Sequence, residues 1–393
     1  MSEKNVKLQN LTEYVKGLKN NENGVELYNK YKNDIVEVKP QEAFEVFKTL
    51  LDEGIKPSEI LVFLDKVINA FYKGLSNHKW KMPKNDNFLK DMYLENDGLV
   101  KKTDEIKELL KEDSLKSKKE KILIKVTELE EFNDHYLKKE NILFPYMEKS
   151  DSKFEGTKIM WSLHDAVRNL IKTTKEILQN QDSTLQQVNT AIANLFFGIL
   201  GVKKKEELIL FPSACEVLSE KDWYEMHKQS LEYNFPFMNK AKHMEYGDMS
   251  MNERLISGKF KTETGELSFD EIELIFNNLP VDMTFVDENN KVRYFTRPKD
   301  RIFPRSPAVI GRSVNNCHPP ESVHVVEEIV ESFRSGKEDS VKFWINIKDK
   351  IVLIQYFALR DNRGTYKGVL EVSQDITEIK SLEGERRLLK WGE

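Results

Sequence analysis

Apolar residues recur at helical spacing through roughly the first 255 positions of this chain, and then the period changes. Leu8, Leu11, Val15 and Leu18 predict one short helix. Ala43, Phe44, Phe47, Leu50 and Leu51 predict a second, ended by Gly54 and Pro57. Ser58 is placed to cap a third, with Ile60, Leu61, Leu64, Val67, Ile68 and Phe71 on one face. Together they make a helical leader over residues 1–76, whose pattern reveals no chemistry. Four longer helical stretches follow, over 86–112, 117–148, 156–179 and 183–217, with Pro145 and Pro212 ending or kinking a helix near its end. Helices of this length with short links predict an antiparallel up-down bundle over 77–240.

Past Trp223 the pattern loosens, Met238 to Lys259 reads as a polar connector, and the linker is placed at 241–268. After Ser268 the chain reads as a short helix, Phe269 to Leu279, and then as strands. Asp282–Asp287 and Lys291–Phe295 predict a hairpin turned by Glu288-Asn289-Asn290. A helix from Ser322 to Ser335 closes on Gly336. Val341, Phe343, Ile345 and Ile347 alternate as a strand; Ile351–Leu359 and Lys367–Ser373 are two more, separated by Asp361-Asn362-Arg363-Gly364. The fold class expected is therefore multidomain, α followed by α+β, with a five-stranded antiparallel sheet over 269–380. A last helix, Ile379 to Leu389, lies mostly in the exit segment 381–393.

Composition narrows the function. The chain has 393 residues, more than one hydrophobic core usually serves. Its charged share is 32%, its hydrophobic share 39% and its net charge −5, which argues against a basic nucleic-acid surface. The longest apolar stretch, Ile192 to Val202, is interrupted by Asn194 and too short for a bilayer, so no membrane association is expected. Met1-Ser2-Glu3-Lys4-Asn5 carries no secretory apolar region, and Cys215 and Cys317 lie too far apart in sequence for a CxxC site. Reduced thiols and a cytoplasmic location follow as expectations. No phosphate-cradling glycine loop, GxSxG or HExxH occurs, so an enzyme is not expected.

The strand order after residue 270 resembles a PAS domain. Ile275-Phe276-Asn277-Asn278-Leu279-Pro280 with Phe285-Val286-Asp287 is similar to that family's first helix and strand. Gly311-Arg312-Ser313-Val314 with His318-Pro319 resembles its central helical stretch, and Asp375-Ile376-Thr377-Glu378 resembles its closing motif. The resemblance implies a module that binds a small ligand or cofactor, or dimerises, and passes a conformational change to an output. The sequence stops some fifteen residues after the closing motif, so the output is expected to leave through contacts, either with the bundle or with a downstream signalling protein. Cys317 and His318, with His324 nearby, form a weak zinc pattern. A haem axial ligand and a purely loop-shaping role both stay open for His318.

The bundle resembles hemerythrin-like domains, which hold two irons between four helices with histidines and carboxylates. His135 to Pro145 is similar to the family's histidine helix ending in Glu-x-x-Leu-Phe-Pro, and Glu206-Glu207-Leu208-Ile209-Leu210-Phe211-Pro212 is its internal echo. His164, on the stripe Met160, His164, Val167, Ile171, Leu178, faces inward by its spacing alone, as a ligand or a hydrogen-bonded core residue. His135 by spacing alone reads as partly exposed. The resemblance implies metal ligands among His135, Glu140, His164, Glu206 and Glu207, with Glu131 a competing partner one turn before His135.

The departures are as informative. Val202 stands where the echo of His135 would be. Asn87 and Lys90 take the paired-histidine positions before Glu95-Asn96. Lys139 takes the one-turn spacing from His135, so Glu140 would need a distorted helix to reach the same point. Two histidines remain where a full diiron site of this family commonly uses five. A diiron centre, a mononuclear iron site and a metal-free bundle all stay open, and the losses favour the last. The whole order resembles a three-part family: a leader (the domain of unknown function numbered 438), a hemerythrin-like cation-binding bundle and a PAS domain. The first expectation is a cytoplasmic sensor working through PAS-mediated association, with a homodimer as one form. The alternatives are a non-haem iron protein sensing oxygen or nitric oxide or donating iron, and a haem-binding PAS sensor.

Overall fold

A computed structural model describes residues 3–84, 87–111, 115–238, 259–262, 265–299, 301–347 and 349–385. Four leader helices come first: α1 (Glu3–Lys19), α2 (Gly24–Ile35), α3 (Pro40–Asp52) and α4 (Pro57–Asn77). Helix α2 escaped the periodicity because only Leu27 and Ile35 are buried on it. It starts at Asn23, whose side chain accepts from the Val25 amide at 3.1 Å. The cap expected at Ser58 is a correction: Pro57 is the first helical residue, where its missing N–H costs nothing, and Lys56 precedes it. The Lys56 amide donates to Glu59 at 2.9 Å.

The bundle is built from α5 (Phe88–Leu109), an interrupted helix over 115–150, α9 (Thr157–Gln179), and a second interrupted helix over Leu185–Val217. Each packs on two neighbours, closing a ring of four. The first interrupted helix is α6 (Leu115–Glu128), a 3₁₀ turn at Leu129–Phe132, α7 (Asn133–Lys138), a π-turn at Lys139–Leu143, and α8 (Phe144–Ser150). The second is α10 (Leu185–Lys205), a π-turn at Glu206–Leu210, and α11 (Phe211–Val217). Leu185–Val217 is the one helix among the described residues long and apolar enough to cross a membrane by length and composition. Its stripe Val188, Ile192, Leu195, Ile199, Val202 is buried in the bundle core. An added helix, α12 (Glu220–Ser230), lies where the sequence pattern loosened; Ser219 caps it and Trp223 and Met226 are its buried anchors.

Leader and bundle share one hydrophobic core. Phe44 of α3 meets Phe154 edge-on at 5.1 Å, and Lys205 of α10 pairs with Asp65 of α4 at 2.5 Å.

The C-terminal unit opens with a hairpin that the sequence pattern did not reveal, β1 (Lys259–Thr262) and β2 (Gly265–Ser268), followed by α13 (Phe269–Asn278). The main sheet has the order β4-β3-β7-β6-β5, every pair antiparallel. Its strands are β3 (Asp282–Asp287), β4 (Val292–Phe295), β5 (Ser340–Ile347), β6 (Lys350–Arg360) and β7 (Tyr366–Asp375), with α14 (Val323–Arg334) between β4 and β5. The expected hairpin turn is present: Asp287 Oδ1 accepts from the Asn289 and Lys291 amides, both at 2.9 Å, and Asn290 takes φ +61°. At the closing motif, Asp375 Oδ1 accepts from Thr377 Oγ1 at 2.6 Å and from the Thr377 amide at 3.0 Å. Thr377 Oγ1 in turn accepts from the Ile351 amide at 2.8 Å, tying the exit to β6. These hydrogen bonds, Thr377 first and Lys350 after it, pull the Asp375 carboxyl down to about 2. The expected exit helix from Ile379 is corrected: α15 (Thr377–Lys380) ends at Lys380 and residues 381–385 are not helical, while residues 386–393, like the connector at 239–258, lie outside the described residues.

Candidate functional site

The two π-turns fall at the same place in the repeated sequence. Aligning Pro145 with Pro212 puts Lys139 opposite Glu206, Glu140 opposite Glu207, Lys138 opposite Lys205 and His135 opposite Val202. In each copy the proline has no N–H to continue the α-helical ladder, and the preceding phenylalanine amide reaches back five residues instead. The wider turn rotates less per residue, so it carries one more side chain to the inner face. Lys138, Lys139 and Glu140 are thereby all buried. This is the distortion that Glu140 needed to reach the interior beside His135.

The interior then assembles from four elements. From α5 come Glu95 and Asn96, both fully buried. His135 lies between two carboxylates, with Nδ1 2.8 Å from Glu95 and Nε2 3.2 Å from Glu206. Lys138 pairs closely with Glu95 and also donates to the Asn234 carbonyl at 3.1 Å, under the ring of Phe235. Lys139 pairs closely with Glu206, and Asn96 Nδ2 donates to the other Glu206 oxygen at 3.1 Å. His164 Nδ1 donates to Glu140 at 2.7 Å, and Arg168 clamps that carboxylate at 3.0 and 3.1 Å. Phe132 stacks on His135 at 4.4 Å and Tyr136 on His164 at 4.3 Å, fixing both rings.

Burial pushes His135 well down, helped by Lys139 and Lys138, and pushes His164 well down, helped by Lys139 and Arg168. Burial likewise lowers Lys138 and Lys139, against the pull of neighbouring carboxylates. Glu95 is pushed up to about 7 by burial, opposed by Lys138.

The sequence-derived candidates divide cleanly. His135, Glu140, His164 and Glu206 meet in this interior. His135 is fully buried, which corrects the partly exposed reading from spacing. Glu131 is exposed and takes no part, because the 3₁₀ turn at Leu129–Phe132 directs Leu129 and Phe132 inward and leaves Glu131 outside. Glu207 lies at the margin, paired with Lys203 at 2.8 Å. Asn87 and Lys90 are exposed. The sequence pattern contained Glu95 and Lys139 without assigning either to the site, and Lys138 and Arg168 were missed. Glu95 was within reach, since it stands three residues after buried Met92 and four before buried Leu99.

Do these residues fit a metal? Three carboxylates, Glu95, Glu140 and Glu206, already face three cations, Lys138, Lys139 and Arg168. Carboxylates and cations are equal in number, and a divalent ion would enter beside ammonium groups in a low dielectric. Among the described residues no three His, Cys, Asp or Glu side chains converge as a metal site. The residues as they stand do not fit an iron centre.

The C-terminal unit holds a second polar assembly on the sheet face that carries Val286 and Val369. Thr284, Glu371 and Tyr356 lie side by side across β3, β7 and β6. Arg305 pairs with Glu371 at 3.3 Å, and its Nε is buried with no hydrogen-bond partner among the described residues. His318 donates Nδ1–H to the Val314 carbonyl at 2.9 Å, and burial lowers its pKa. Cys317 Sγ contacts the Ser313 carbonyl at 3.5 Å and His324 is exposed. Among the described residues Cys317, His318 and His324 do not converge as a metal site.

Residues 272–377 match the PAS domain family PAS_10, and residues 87–214 match the hemerythrin HHE cation binding domain. No curated protein matches the chain significantly. Among solved structures it is similar to a C-terminal domain from Streptococcus mutans, at 34% identity and a TM-score of 0.31, over 32% of this chain and 98% of that one. It is also similar to a PAS domain from Colwellia psychrerythraea, at 15% identity and a TM-score of 0.23, over 28% of this chain and 97% of that one. A third is a sensory box sensor histidine kinase from Vibrio cholerae, at 13% identity and a TM-score of 0.22, over 27% of this chain and 90% of that one.

Proposed function

We propose that this chain, which joins a hemerythrin HHE cation-binding domain to a C-terminal PAS domain, is a cytoplasmic signalling protein, not an enzyme, whose PAS domain receives a small polar ligand. The response passes to a downstream protein by contact. The bundle serves as a helical body organised by its own ion pairs, without iron.

One observation carries this reading. The PAS interior is not uniformly apolar: its hydrophobic core is two small clusters, and Thr284, Glu371 and Tyr356 run beside them with Arg305 on the carboxylate. Burying an arginine nitrogen without a partner is costly for a fold and useful for a site that must hold an anionic or carbonyl oxygen. The test is thermal unfolding of the full chain with a panel of small carboxylates, amino acids and phosphate esters, for wild type and Arg305→Ala. A ligand at a hundred times its Kd adds about 2.7 kcal/mol to its domain. We expect at least one compound class to stabilise the wild type and not Arg305→Ala. Equal response of both proteins, or none from either, contradicts the reading.

A further inference from the structure

An apolar groove runs between leader helix α4 and bundle helix α10. Its open part, about 420 Å³, is lined by Ile68 on one side and by Phe196, Phe197 and Leu200 on the other. A narrow inner end of about 40 Å³ adjoins it past Ile68 and Lys205, which line both, and is walled by Phe44, Leu64, Leu163 and Leu210. We propose that the groove binds a fatty acid monomer, with its hydrocarbon tail along the Phe196–Leu200 wall toward the inner end and its carboxylate on Lys204.

Size and surface chemistry support this. The open part is in the volume range of small-molecule sites. Phe197 is 67% exposed on α10 and Tyr72 is 49% exposed on α4, so the groove is flanked by aromatic surface that folding leaves in water. Gly201 also lines it. A glycine inside a helix weakens it relative to alanine. At Gly198, three residues earlier, the glycine is required, because a Cβ would lie 2.6 Å from Leu170 Cδ1. At Gly201 a Cβ would meet only Lys205 Nζ, at 3.4 Å, so protein packing does not demand the gap.

Charge selects the head group. Three lysines end α10, and two of them are paired: Lys203 with Glu207 at 2.8 Å and Lys205 with Asp65 at 2.5 Å. Lys204, between them, donates to the neutral Asn69 side chain at 3.1 Å and lies 4.8 Å from the Tyr72 ring centroid. Among the described residues no carboxylate pairs with it. Asn69 and Lys204 both line the groove, so an uncompensated positive charge sits at its rim. A small anion would leave the aromatic wall wet, and a neutral lipid would leave the ammonium without a counterion. A carboxylate on a hydrocarbon chain satisfies both. The site lies wholly in the helical half, so it stands or falls apart from the ligand reading of the PAS domain.

The experiment is calorimetric titration of the delipidated full chain with octanoate, decanoate, dodecanoate and dodecanol, each kept monomeric, for wild type, Lys204→Gln and Gly201→Leu. Wild type should bind dodecanoate, with affinity rising about fourfold per methylene along the carboxylate series. Lys204→Gln should weaken dodecanoate at least about tenfold and leave dodecanol unchanged. Gly201→Leu should weaken both, while its thermal unfolding stays at or above that of wild type. No binding by wild type, equal affinity for dodecanoate and dodecanol, or dodecanoate binding unchanged in either variant overturns the proposal. So does sedimentation of wild type with anionic phospholipid vesicles without binding of monomeric dodecanoate, which would make the groove a membrane-surface contact. Should Gly201→Leu be recovered unfolded, Phe197→Ser, at an exposed position, takes its place with the same expected loss.

Discussion

Glu206→Ala is expected to destabilise the helical half of the chain by about 3–5 kcal/mol, the cost of leaving a buried charge without its partner. Three groups lose by it at once. Lys139 keeps an ammonium in a fully buried position, His135 Nε2 loses its carboxylate, and the Asn96 amide loses an acceptor. The energy of the intact pair is a different quantity. Replacing both partners by apolar residues of similar volume, Lys139→Met with Glu206→Met, removes two desolvated charges together and should be neutral or stabilising by about 1–4 kcal/mol. Urea unfolding followed by circular dichroism separates these cases. A single variant no worse than the double would mean that Lys139 finds another partner and that the pair does not organise the bundle.

Gly368→Ala should abolish stable folding of the PAS sheet, with a cost of roughly 2–4 kcal/mol from overpacking and backbone strain together. Gly368 takes φ +138°, which side-chain-bearing residues rarely adopt. It lies between Asp287 of β3 and Leu359 of β6, next to the irregularity at Leu359/Arg360. A Cβ there would overlap the Val286 carbonyl oxygen and lie 2.9 Å from the Phe285 side chain. Because β7 is the middle strand, its displacement severs both halves of the sheet. Amide hydrogen exchange in Tyr366–Asp375 reads the effect directly; protection equal to wild type would show that β7 can shift to admit the methyl group.

Both predictions turn on features of unequal visibility in the sequence. The PAS strands were legible because alternation has a period of two and the turns announce themselves: Asp287-Glu288-Asn289-Asn290 and Asp361 to Gly364 carry side chains that bond their own backbone. The bundle was legible because its stripes are long. Its interior was not, since a regular helix places Glu140 well round from His135, and only the π-turn before Pro145 brings Lys139 and Glu140 inside together. The repeated Ile-Leu-Phe-Pro pointed to that turn without disclosing its pitch. Nor does sequence disclose that Lys139 meets Glu206, because that contact joins the two copies across the bundle. Helices α2 and α12 were missed because each buries few residues, and the β1–β2 hairpin because its strands are short.

The central claim is that lysines supply the positive charge at the heart of this bundle. Its most direct test is the metal content of the wild-type full chain after anaerobic incubation with excess Fe(II) and desalting, with His135→Ala treated in parallel. The account predicts no iron retained by wild type above that of His135→Ala. Stoichiometric iron in the wild type, lost in His135→Ala, would contradict it.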